Sequence, residues 1–557
     1  MDNALIFEEH HFQEGDISSV TTAYINQYPI VYILYNRQNH KKPIAYIGQT
    51  VQVNKRMQQH IKDPKRKGIQ EALLIGHEKF NQSATYNIET NLINHFIGDE
   101  KFQLQNVSQT RQVQMHQYYE KEFYDEIIFR ELWEELQKRH LAVHSIDTIR
   151  NKDVYKLSPF KELTPEQLDI KLDIIAYCKK SINSNDSQKV FMIEGDAGTG
   201  KSVLLTSLYN TLQDFTKTES IFKGTDNYLL VNHSEMLKTY HSMADSLPNL
   251  KKNHILKPTT FINQIDKNQK EPDIVIVDEA HLLLTKRDSY NNFHFDNQLE
   301  EIVKRSKITI CIFDPKQVLK IKSYWDENQL TIFQKKYGAT RYHLTNQLRM
   351  QSSPMVVQWI DAFVHKRIGD LPESTDRFVL QIMDAPEKLK TKISALDEQD
   401  GLSRLIATFD YTHKKDGASY LVDPDGINMS WNSTDSKVTW AERPETIHEV
   451  GSIYTIQGFD LNHVGLVLGP SIDYDPIADV LTIDIDQYKD TGAFIGREDM
   501  DQETTNYAKE KIILNSVNIL MKRAIKGLYI YAVNPKLREK LLAIQTEREE
   551  RSHERYI

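Results

Sequence analysis

The stretch VFMIEGDAGTGKSVLL, residues 190–205, decides the fold of most of the chain. An apolar run typical of a buried strand leads into a glycine-rich loop, and an apolar helical pattern follows. Glycines and a Lys-Ser pair at this spacing form a P-loop, whose backbone N–H groups cradle phosphates. We therefore predict an ATP site in which Lys201 reaches the β- and γ-phosphate oxygens and Ser202 binds Mg²⁺. The loop residues predicted to bind ATP are Gly195, Asp196, Ala197, Gly198, Thr199, Gly200, Lys201 and Ser202.

A second strand supplies an acidic partner for this loop. Residues 272–284, PDIVIVDEAHLLL, form an apolar run that ends at Asp278 and Glu279. Behind a P-loop, an acidic pair at a strand end holds Mg²⁺ and activates the attacking water. We predict that Asp278 holds the ATP-bound Mg²⁺ through a water and that Glu279 is the catalytic base that activates the attacking water.

Further polar residues stand in a fixed order around these two motifs. They are Gln167, Gln317, Gln347, Arg349, Gln457, Gly458, Asp460 and Arg523. As an ordered set with a P-loop, they resemble the motor core of superfamily 1 helicases, and more closely the Schlafen-like DNA/RNA helicase family, from residue 161 to about residue 540. The resemblance implies two RecA-like α/β domains with ATP between them. It also implies that Gln167 reads adenine, that Gln317 senses the γ-phosphate and that Gly458 belongs to the ATP-binding residues.

The same resemblance implies two arginine fingers, Arg349 and Arg523, which stabilise charge on the transferred phosphoryl group. Lys522 precedes Arg523 at the position where the family has threonine. The segment between Arg349 and Thr455 is too short for the large accessory domain of processive unwinding enzymes. The sequence therefore favours ATP hydrolysis over strand separation.

The N-terminal region carries a second group of signals. Residues 28–35 (YPIVYILY) and 43–50 (PIAYIGQT) are typical of two short strands joined by a polar turn, which predicts a hairpin. A helix is predicted to begin near Val53 and to place Arg56 and His60 on one face. A second helical stretch, residues 87–97, carries Glu89 within an otherwise apolar stripe.

Six residues of this region follow one another in an order known from a nuclease family. They are Tyr32, Tyr46, Arg56, His60, Glu89 and Asn106. Together with the tripeptide YIG, this set resembles the GIY-YIG nuclease family, although Ile30 replaces the first glycine of that name. By this resemblance, Glu89 holds Mg²⁺ or Mn²⁺, Tyr32 helps to deprotonate a water, and Arg56 contacts the scissile phosphate. The other three residues position water, phosphate and backbone.

The predicted fold class is α/β. A small α+β GIY-YIG nuclease-like domain is predicted for residues 1–110 and a helical linker for residues 111–160, where apolar residues recur at helical spacing. Two P-loop RecA-like α/β domains follow, at residues 161–338 and 339–557. The second ends in a segment with dense charges of both signs, which we expect to be a solvated helix.

Composition and charge limit the class of protein. Cys178 and Cys311 are the only cysteines, so neither a disulfide framework nor a cysteine zinc cluster can form. The formal net charge of −9 argues against general coating of nucleic acid, although residues 55–67 carry a basic run suited to a phosphate track. The sequence shows neither a signal pattern nor a long apolar run, so we expect a cytoplasmic protein without a membrane partner.

These motifs together predict an ATP-dependent nuclease, with a helicase-like ATPase and a Mg²⁺-dependent endonuclease in one chain. The predicted partner is nucleic acid, with DNA favoured over RNA, and the oligomeric state is left open. By analogy alone, a nuclease fused to a motor suggests defence against invading DNA. The alternative is a nucleic-acid-sensing ATP switch whose N-terminal domain binds without cutting.

Overall fold

The computed structural model describes most of the chain. The described residues are 4–554 without 18–19, 38–41, 107–116, 184–187, 197, 269, 290–291, 326, 346–349, 414–418, 424–425, 434–439, 457–458 and 496–499.

Strands and helices follow one another along the described chain as follows. The strands are β1 (Ile6–His11), β2 (Ile30–Tyr35), β3 (Ile44–Thr50), β4 (Glu71–Gly76), β5 (Gln103–Leu104), β6 (Lys189–Gly195), β7 (Asn227–Val231), β8 (Ile255–Leu256), β9 (Ile274–Asp278), β10 (Ile308–Phe313), β11 (Thr340–Leu344), β12 (Val379–Ile382), β13 (Ser403–Ala407), β14 (Leu421–Val422), β15 (Met429–Trp431), β16 (Glu449–Gly451), β17 (Leu461–Leu468), β18 (Ile472–Asp475), β19 (Val480–Ile483) and β20 (Ala524–Ala532). The α-helices are α1 (Val53–Lys62), α2 (Gln82–Asp99), α3 (Phe129–Lys138), α4 (Ile146–Asn151), α5 (Asp153–Lys156), α6 (Pro165–Ser181), α7 (Lys201–Thr218), α8 (Ser234–Ser246), α9 (Pro258–Asn268), α10 (Gln298–Val303), α11 (Glu327–Tyr337), α12 (Pro354–Val364), α13 (Pro386–Asp400), α14 (Ile453–Ile456), α15 (Gln502–Met521) and α16 (Pro535–Glu554). Each helix in the described ranges is too short or too polar to cross a lipid bilayer. From β6 to β11 strands and helices alternate, which is typical of a parallel α/β sheet.

The chain divides into two compact units. The first consists of Met1–Gln188, Ser202–Asp278 and Arg305–Ile310, and the second of Lys189–Lys201, Glu279–Lys304 and Cys311–Ile557.

The N-terminal part of the first unit contains a five-stranded sheet with the order β1-β4-β2-β3-β5. β2 and β3 pair antiparallel, with Tyr32 opposite Gly48, so the predicted hairpin is confirmed. α1 begins at Val53, as predicted, and α2 contains the second predicted helical stretch. The hairpin and these two helices carry five of the six residues in the N-terminal set, and Asn106 follows β5.

The first unit also contains three parallel strands in the order β9-β7-β8. β7 and β9 are buried at every position, which explains why their sequences are nearly continuous apolar runs. Asp278 is the last residue of β9, and ligands of open α/β sheets bind at the carboxyl ends of such strands. The predicted strand–acid arrangement is therefore confirmed.

In the second unit, β6 pairs in parallel with β11 and ends at Gly195, opposite Leu344. A seven-stranded sheet has the order β12-β20-β17-β13-β16-β15-β14, and its pairings are parallel except between β14 and β15. α15 leads through Lys522 and Arg523 into β20, and both of these charged residues are buried. The mixed α/β architecture with parallel sheets agrees with the predicted fold class.

The last helix corrects one expectation. The density of charge in α16 predicted a solvated helix, but Leu537, Leu541 and Ile544 are buried on one face. Arg548 is also buried and donates hydrogen bonds to two backbone carbonyl oxygens. The prediction was wrong because apolar residues at i, i+4 and i+7 suffice to anchor a helix most of whose other positions are charged or polar.

We expect Leu541→Ala to lower the local free energy of unfolding of α16 by about 2–5 kcal/mol, because it leaves a cavity at a fully buried position. The exposed Glu547→Ala change on the same helix should alter it by less than about 0.5 kcal/mol. Native-state hydrogen exchange of the α16 amides measures both values. Equal, small effects would show that the helix is solvated after all.

Candidate functional site

The loop that follows β6 has a shape that requires glycine. A Cβ atom at Gly195 would lie 2.7 Å from Thr199 Oγ1 and 2.9 Å from the Leu344 carbonyl oxygen, which is closer than real Cβ atoms approach. Gly198 and Gly200 have φ angles of +87° and +76°, in the left-handed region that side chains disfavour. The described loop residues therefore form a tight backbone cradle, and its binding of phosphate stays a prediction.

Lys201 lies inside this cradle and is only 7% exposed. Its Nζ donates to the carbonyl oxygens of Gly195 and Asp196, at 2.6 and 2.8 Å, and lies 3.1 Å from Asp314 Oδ2. Gln317 Nε2 donates to the same Asp314 oxygen at 2.6 Å. The two side chains predicted to meet the phosphates thus share one buried carboxylate, and a bound phosphate would compete for the same donors.

Ser202 and Asp278 lie next to each other in the first unit. Ser202 Oγ is 3.4 Å from Asp278 Oδ1, and the Tyr240 hydroxyl donates to Asp278 Oδ2 at 2.6 Å. A hydroxyl and a carboxylate are the hard oxygen ligands that Mg²⁺ prefers, so the donor set fits the predicted ion. Glu279 adopts a left-handed backbone conformation, and its Oε2 lies 3.1 Å from Nε2 of the buried His281.

The remaining predicted nucleotide residues are placed as follows. The side-chain oxygen of Gln167 accepts from the backbone N–H of Thr164 in a capping box that starts α6, and its reading of adenine stays a prediction. Arg523 lies 3.6 Å from Asp460 within the second unit. Ala197, Gln347, Arg349, Gln457 and Gly458 lie outside the described residues.

In the N-terminal sheet, the hairpin register brings Tyr32 across from Gly48. A Cβ atom at residue 48 would overlap the Tyr32 hydroxyl, so only glycine allows this tyrosine to lie flat against β3. Tyr32 is fully buried, and its Oη is 2.8 Å from His60 Nε2. Arg56 Nε donates to the same Oη at 3.1 Å. Three of the predicted nuclease residues therefore meet at a single phenol oxygen.

The protonation states of this trio follow from burial and charge. Burial, with Tyr46 close by, raises the pKa of Tyr32 well above its usual value, so the phenol is neutral. Burial and the positive charges of Arg56 and Arg66 lower the pKa of His60 to about 3, so the imidazole is neutral as well. Arg56 donates to Tyr32 Oη, and the Tyr32 hydroxyl and His60 Nε2 share a hydrogen bond whose direction follows the tautomer of His60. The arrangement is a hydrogen-bonded chain of three neighbouring side chains, Arg56, Tyr32 and His60.

Glu89 lies on α2, where burial raises the pKa of its carboxyl to about 8 and the charge of Arg56 opposes this shift. Within the described part of the chain, no three His, Cys, Asp or Glu side chains are placed together to hold a metal ion. Mg²⁺ commonly takes one or two carboxylates and completes its shell with water and substrate phosphate. A single buried carboxylate beside an arginine fits that use.

Asn106 and Tyr46 fix the strand that carries the YIG tripeptide. Asn106 exchanges two hydrogen bonds with the backbone of Ile47, at 3.1 and 2.8 Å. The centroids of the Tyr46 and His60 rings are 5.0 Å apart. The Arg66 guanidinium carbon lies over the Tyr46 ring, 3.6 Å from its centroid. Sequence motifs did not identify Arg66, although it belongs to the basic run at residues 55–67.

A parallel α/β fold with a P-loop lysine, a neighbouring serine and a strand-end aspartate defines a helicase-like P-loop protein. Residues 188–534 match the family model described as "Schlafen group 3, DNA/RNA helicase domain". The chain belongs to this family. It is also 36% identical over 414 residues to the Saccharomyces cerevisiae "Uncharacterized protein YPL245W". This alignment covers 68% of this chain and 90% of the yeast protein.

Solved structures with detectable similarity are more distant. The Pif1 helicase from Candida albicans aligns with 13% identity and a TM-score of 0.28, covering 68% of this chain and 97% of that chain. A Saccharomyces cerevisiae Dbp5 variant, solved in a complex with ADP, aligns with 12% identity and a TM-score of 0.30. This alignment covers 69% of this chain and 92% of that chain. Superpositions this loose establish no specific relationship, and the family membership follows from the two sequence matches.

We expect metal-free Glu89→Gln protein to be more stable than the wild type, by an amount that grows from pH 5 to pH 8. A carboxyl whose pKa is raised by folding contributes stability below about pH 4.5 and loses it as the pH rises towards 8. Each pKa unit corresponds to about 1.4 kcal/mol, so the gain at pH 8 should be a few kcal/mol. Thermal melts in EDTA at each pH measure the difference. Mn²⁺ at pH 8 should stabilise the wild type and the exposed control variant Glu122→Gln, but not Glu89→Gln. A difference in melting temperature between Glu89→Gln and the wild type that stays the same at every pH would contradict the raised pKa of Glu89.

Proposed function

We propose that this protein is a nucleic-acid-stimulated ATPase whose N-terminal domain, residues 1–110, cleaves phosphodiester bonds, with DNA favoured as the substrate. The observation that supports the ATPase is the placement of Lys201 and Ser202, consecutive residues at the start of α7. Each is hydrogen-bonded to a buried aspartate at the end of a strand, Asp314 and Asp278 respectively. The Lys201 contact lies within the second unit and the Ser202 contact within the first, and each supplies groups of the kind that bind a nucleotide and its Mg²⁺.

The ATPase chemistry follows from these groups. The loop N–H groups and Lys201 bind the β- and γ-phosphates, and Gln317 turns from Asp314 to the γ-phosphate. When bound at Ser202 and Asp278, Mg²⁺ supplies charge that neutralises the phosphates. Glu279 takes the proton of the attacking water. His281 lies against its carboxylate and orients it.

The nuclease chemistry rests on the Tyr32 oxygen. Arg56 donates to this oxygen and carries charge that attracts the scissile phosphate. Tyr32 accepts a proton from the attacking water as it passes its own proton to His60 Nε2. A bound phosphate would neutralise Arg56, so the pKa of His60 rises and the imidazole becomes a better acceptor. Glu89 is the carboxylate that holds the divalent ion, which supplies a Lewis acid at the phosphate.

We expect wild-type protein to cut plasmid or single-stranded DNA in the presence of Mg²⁺ or Mn²⁺. Glu89→Gln should lose cutting by more than about a hundredfold, and Tyr32→Phe by about 10²–10⁴-fold, the usual contribution of an acid–base group. Lys201→Ala should lose ATP hydrolysis while it still cuts. Gel assays of cleavage and a phosphate-release assay measure the two activities. Undiminished cutting by Glu89→Gln would reject the nuclease assignment. Binding of DNA without cutting by the wild type would favour the ATP switch.

A physical link between the two centres runs through α8 in the first unit. Tyr240 on α8 donates to Asp278 at the ATP site. One half-turn further along, Ser242 donates to Glu100, the residue that caps the C-terminal end of α2. Because α2 carries Glu89, a shift of α8 when ATP binds would be passed to the nuclease residues. We propose that ATP changes the cutting rate by this route.

We expect Ser242→Ala to retain both activities and to lose the effect of ATP on the cutting rate, because the change removes the hydroxyl that joins α8 to α2. Thr216→Ala is the matched control, since the Thr216 hydroxyl donates to Gln213 within its own helix, α7. Cleavage rates at fixed low salt, with and without ATP, provide the comparison. An ATP effect of wild-type size in Ser242→Ala would show that the link does not carry the coupling.

A further inference from the structure

Four charged side chains meet beside the glycine loop, within the second unit. Lys316 Nζ lies 2.9 Å from the carboxylate of Asp196, and Lys522 Nζ lies 3.5 Å from it. The same two ammonium groups lie 3.7 and 2.8 Å from Asp361 Oδ1. Two negative and two positive charges are therefore balanced around Asp196, a residue of the P-loop itself.

Lys522 is the unusual member of this cluster. Its side chain has no exposed surface, and buried lysines of this kind need paired negative charge to remain ionised. Lys522 caps the C-terminal end of α15, from which its side chain reaches both the P-loop aspartate and Asp361 on α12. Burial alone would raise the pKa of Asp196, but the charges of Lys522 and Lys316 lower it, so the carboxylate is ionised.

The side chain of Arg523, the next residue, has a different partner from that of Lys522. Its guanidinium lies 3.6 Å from Asp460, and its carbonyl oxygen accepts from the backbone N–H of Leu461 at the start of β17. Arg523 is thus bound to the segment that precedes β17. Its neighbour Lys522 is the one directed to the nucleotide loop.

We propose that Lys522, rather than Arg523, is the cation that this part of the chain delivers to the phosphates during ATP hydrolysis. Arg523 instead acts as a positioning residue through Asp460. The inference rests on the proposed ATPase activity and assigns a residue within that site. Triphosphate bound by the loop N–H groups would place several phosphate oxygens beside Asp196. Lys522 then needs only to exchange its contact with the Asp196 carboxylate for a contact with a phosphate oxygen.

The chemistry of lysine fits this role. An ammonium group is a compact charge with three rotatable donors, so it can turn from a carboxylate to a phosphate without a fixed fork geometry. Asp361 remains as the second partner and holds the Lys522 side chain in place during the exchange. The Lys522 ammonium therefore interacts most strongly with the transferred phosphoryl group in the transition state, when negative charge develops on that group.

The test compares variants of the full-length protein by ATP turnover, the KM for ATP and the affinity for ADP–aluminium fluoride, a transition-state mimic. Because Lys522→Ala leaves one negative charge in excess in this cluster, the main variant is the balanced double change Lys522→Met with Asp361→Asn, checked by a thermal melt. We expect kcat to fall by about 10²–10⁴-fold, with a KM change below tenfold and a parallel loss of ADP–aluminium fluoride affinity. Lys522→Arg should recover part of the turnover, and Arg523→Ala should lose less than the double variant.

The outcomes separate the inference from the proposed function. Wild-type protein without ATP hydrolysis would reject the ATPase itself. An active wild type, together with near-normal kcat in a double variant that melts like the wild type, would overturn the role of Lys522. A larger loss of kcat and of ADP–aluminium fluoride affinity in Arg523→Ala than in the double variant would also overturn the role of Lys522. That result would identify Arg523 as the arginine finger.

Discussion

The tight turn of the glycine loop after β6 is the constraint on which the ATP site depends. Gly198 and Gly200 use backbone conformations that side chains disfavour, and Gly195 leaves no space for a Cβ atom. Because the backbone folds so closely, the ammonium of Lys201 lies against the carbonyl oxygens of Gly195 and Asp196. The same turn holds this ammonium 3.1 Å from Asp314 Oδ2.

Buried ionisable groups are the common feature of both centres. Burial makes the charged form of a carboxyl or phenol costly, so Glu89 and Tyr32 hold their protons more tightly than they would in water. Beside the glycine loop, the buried carboxylate of Asp314 is paired with the Lys201 ammonium instead. In the N-terminal centre, the charge of Arg56 opposes the raised pKa of Glu89 without cancelling the effect of burial. Such groups reduce stability and are typical of functional sites.

Local sequence predicted well wherever the physical cause was local. The hairpin at residues 30–50 and the helix that begins at Val53 depend on turn residues and alternation within a few positions. The C-terminal helix was predicted as a helix but wrongly as a solvated one, because three apolar residues on one face cannot be distinguished from chance until their partners are known. The Tyr240 contact with Asp278 gave no signal in the sequence, since a tyrosine on an amphipathic helix usually serves packing.

The sequence by itself determined the chemistry available to this protein: a phosphate loop, a strand-end acidic pair and an ordered set of Tyr, Arg, His and Glu. Spacing alone specifies these, because backbone cradles and strand ends are built from adjacent residues. Only the tertiary structure decided which of two consecutive cations, Lys522 or Arg523, is directed to the loop. It also decided that α8 contacts both Asp278 and the end of α2. Those outcomes depend on how α15, α12 and α8 pack, and packing arises from contacts between residues far apart in the chain.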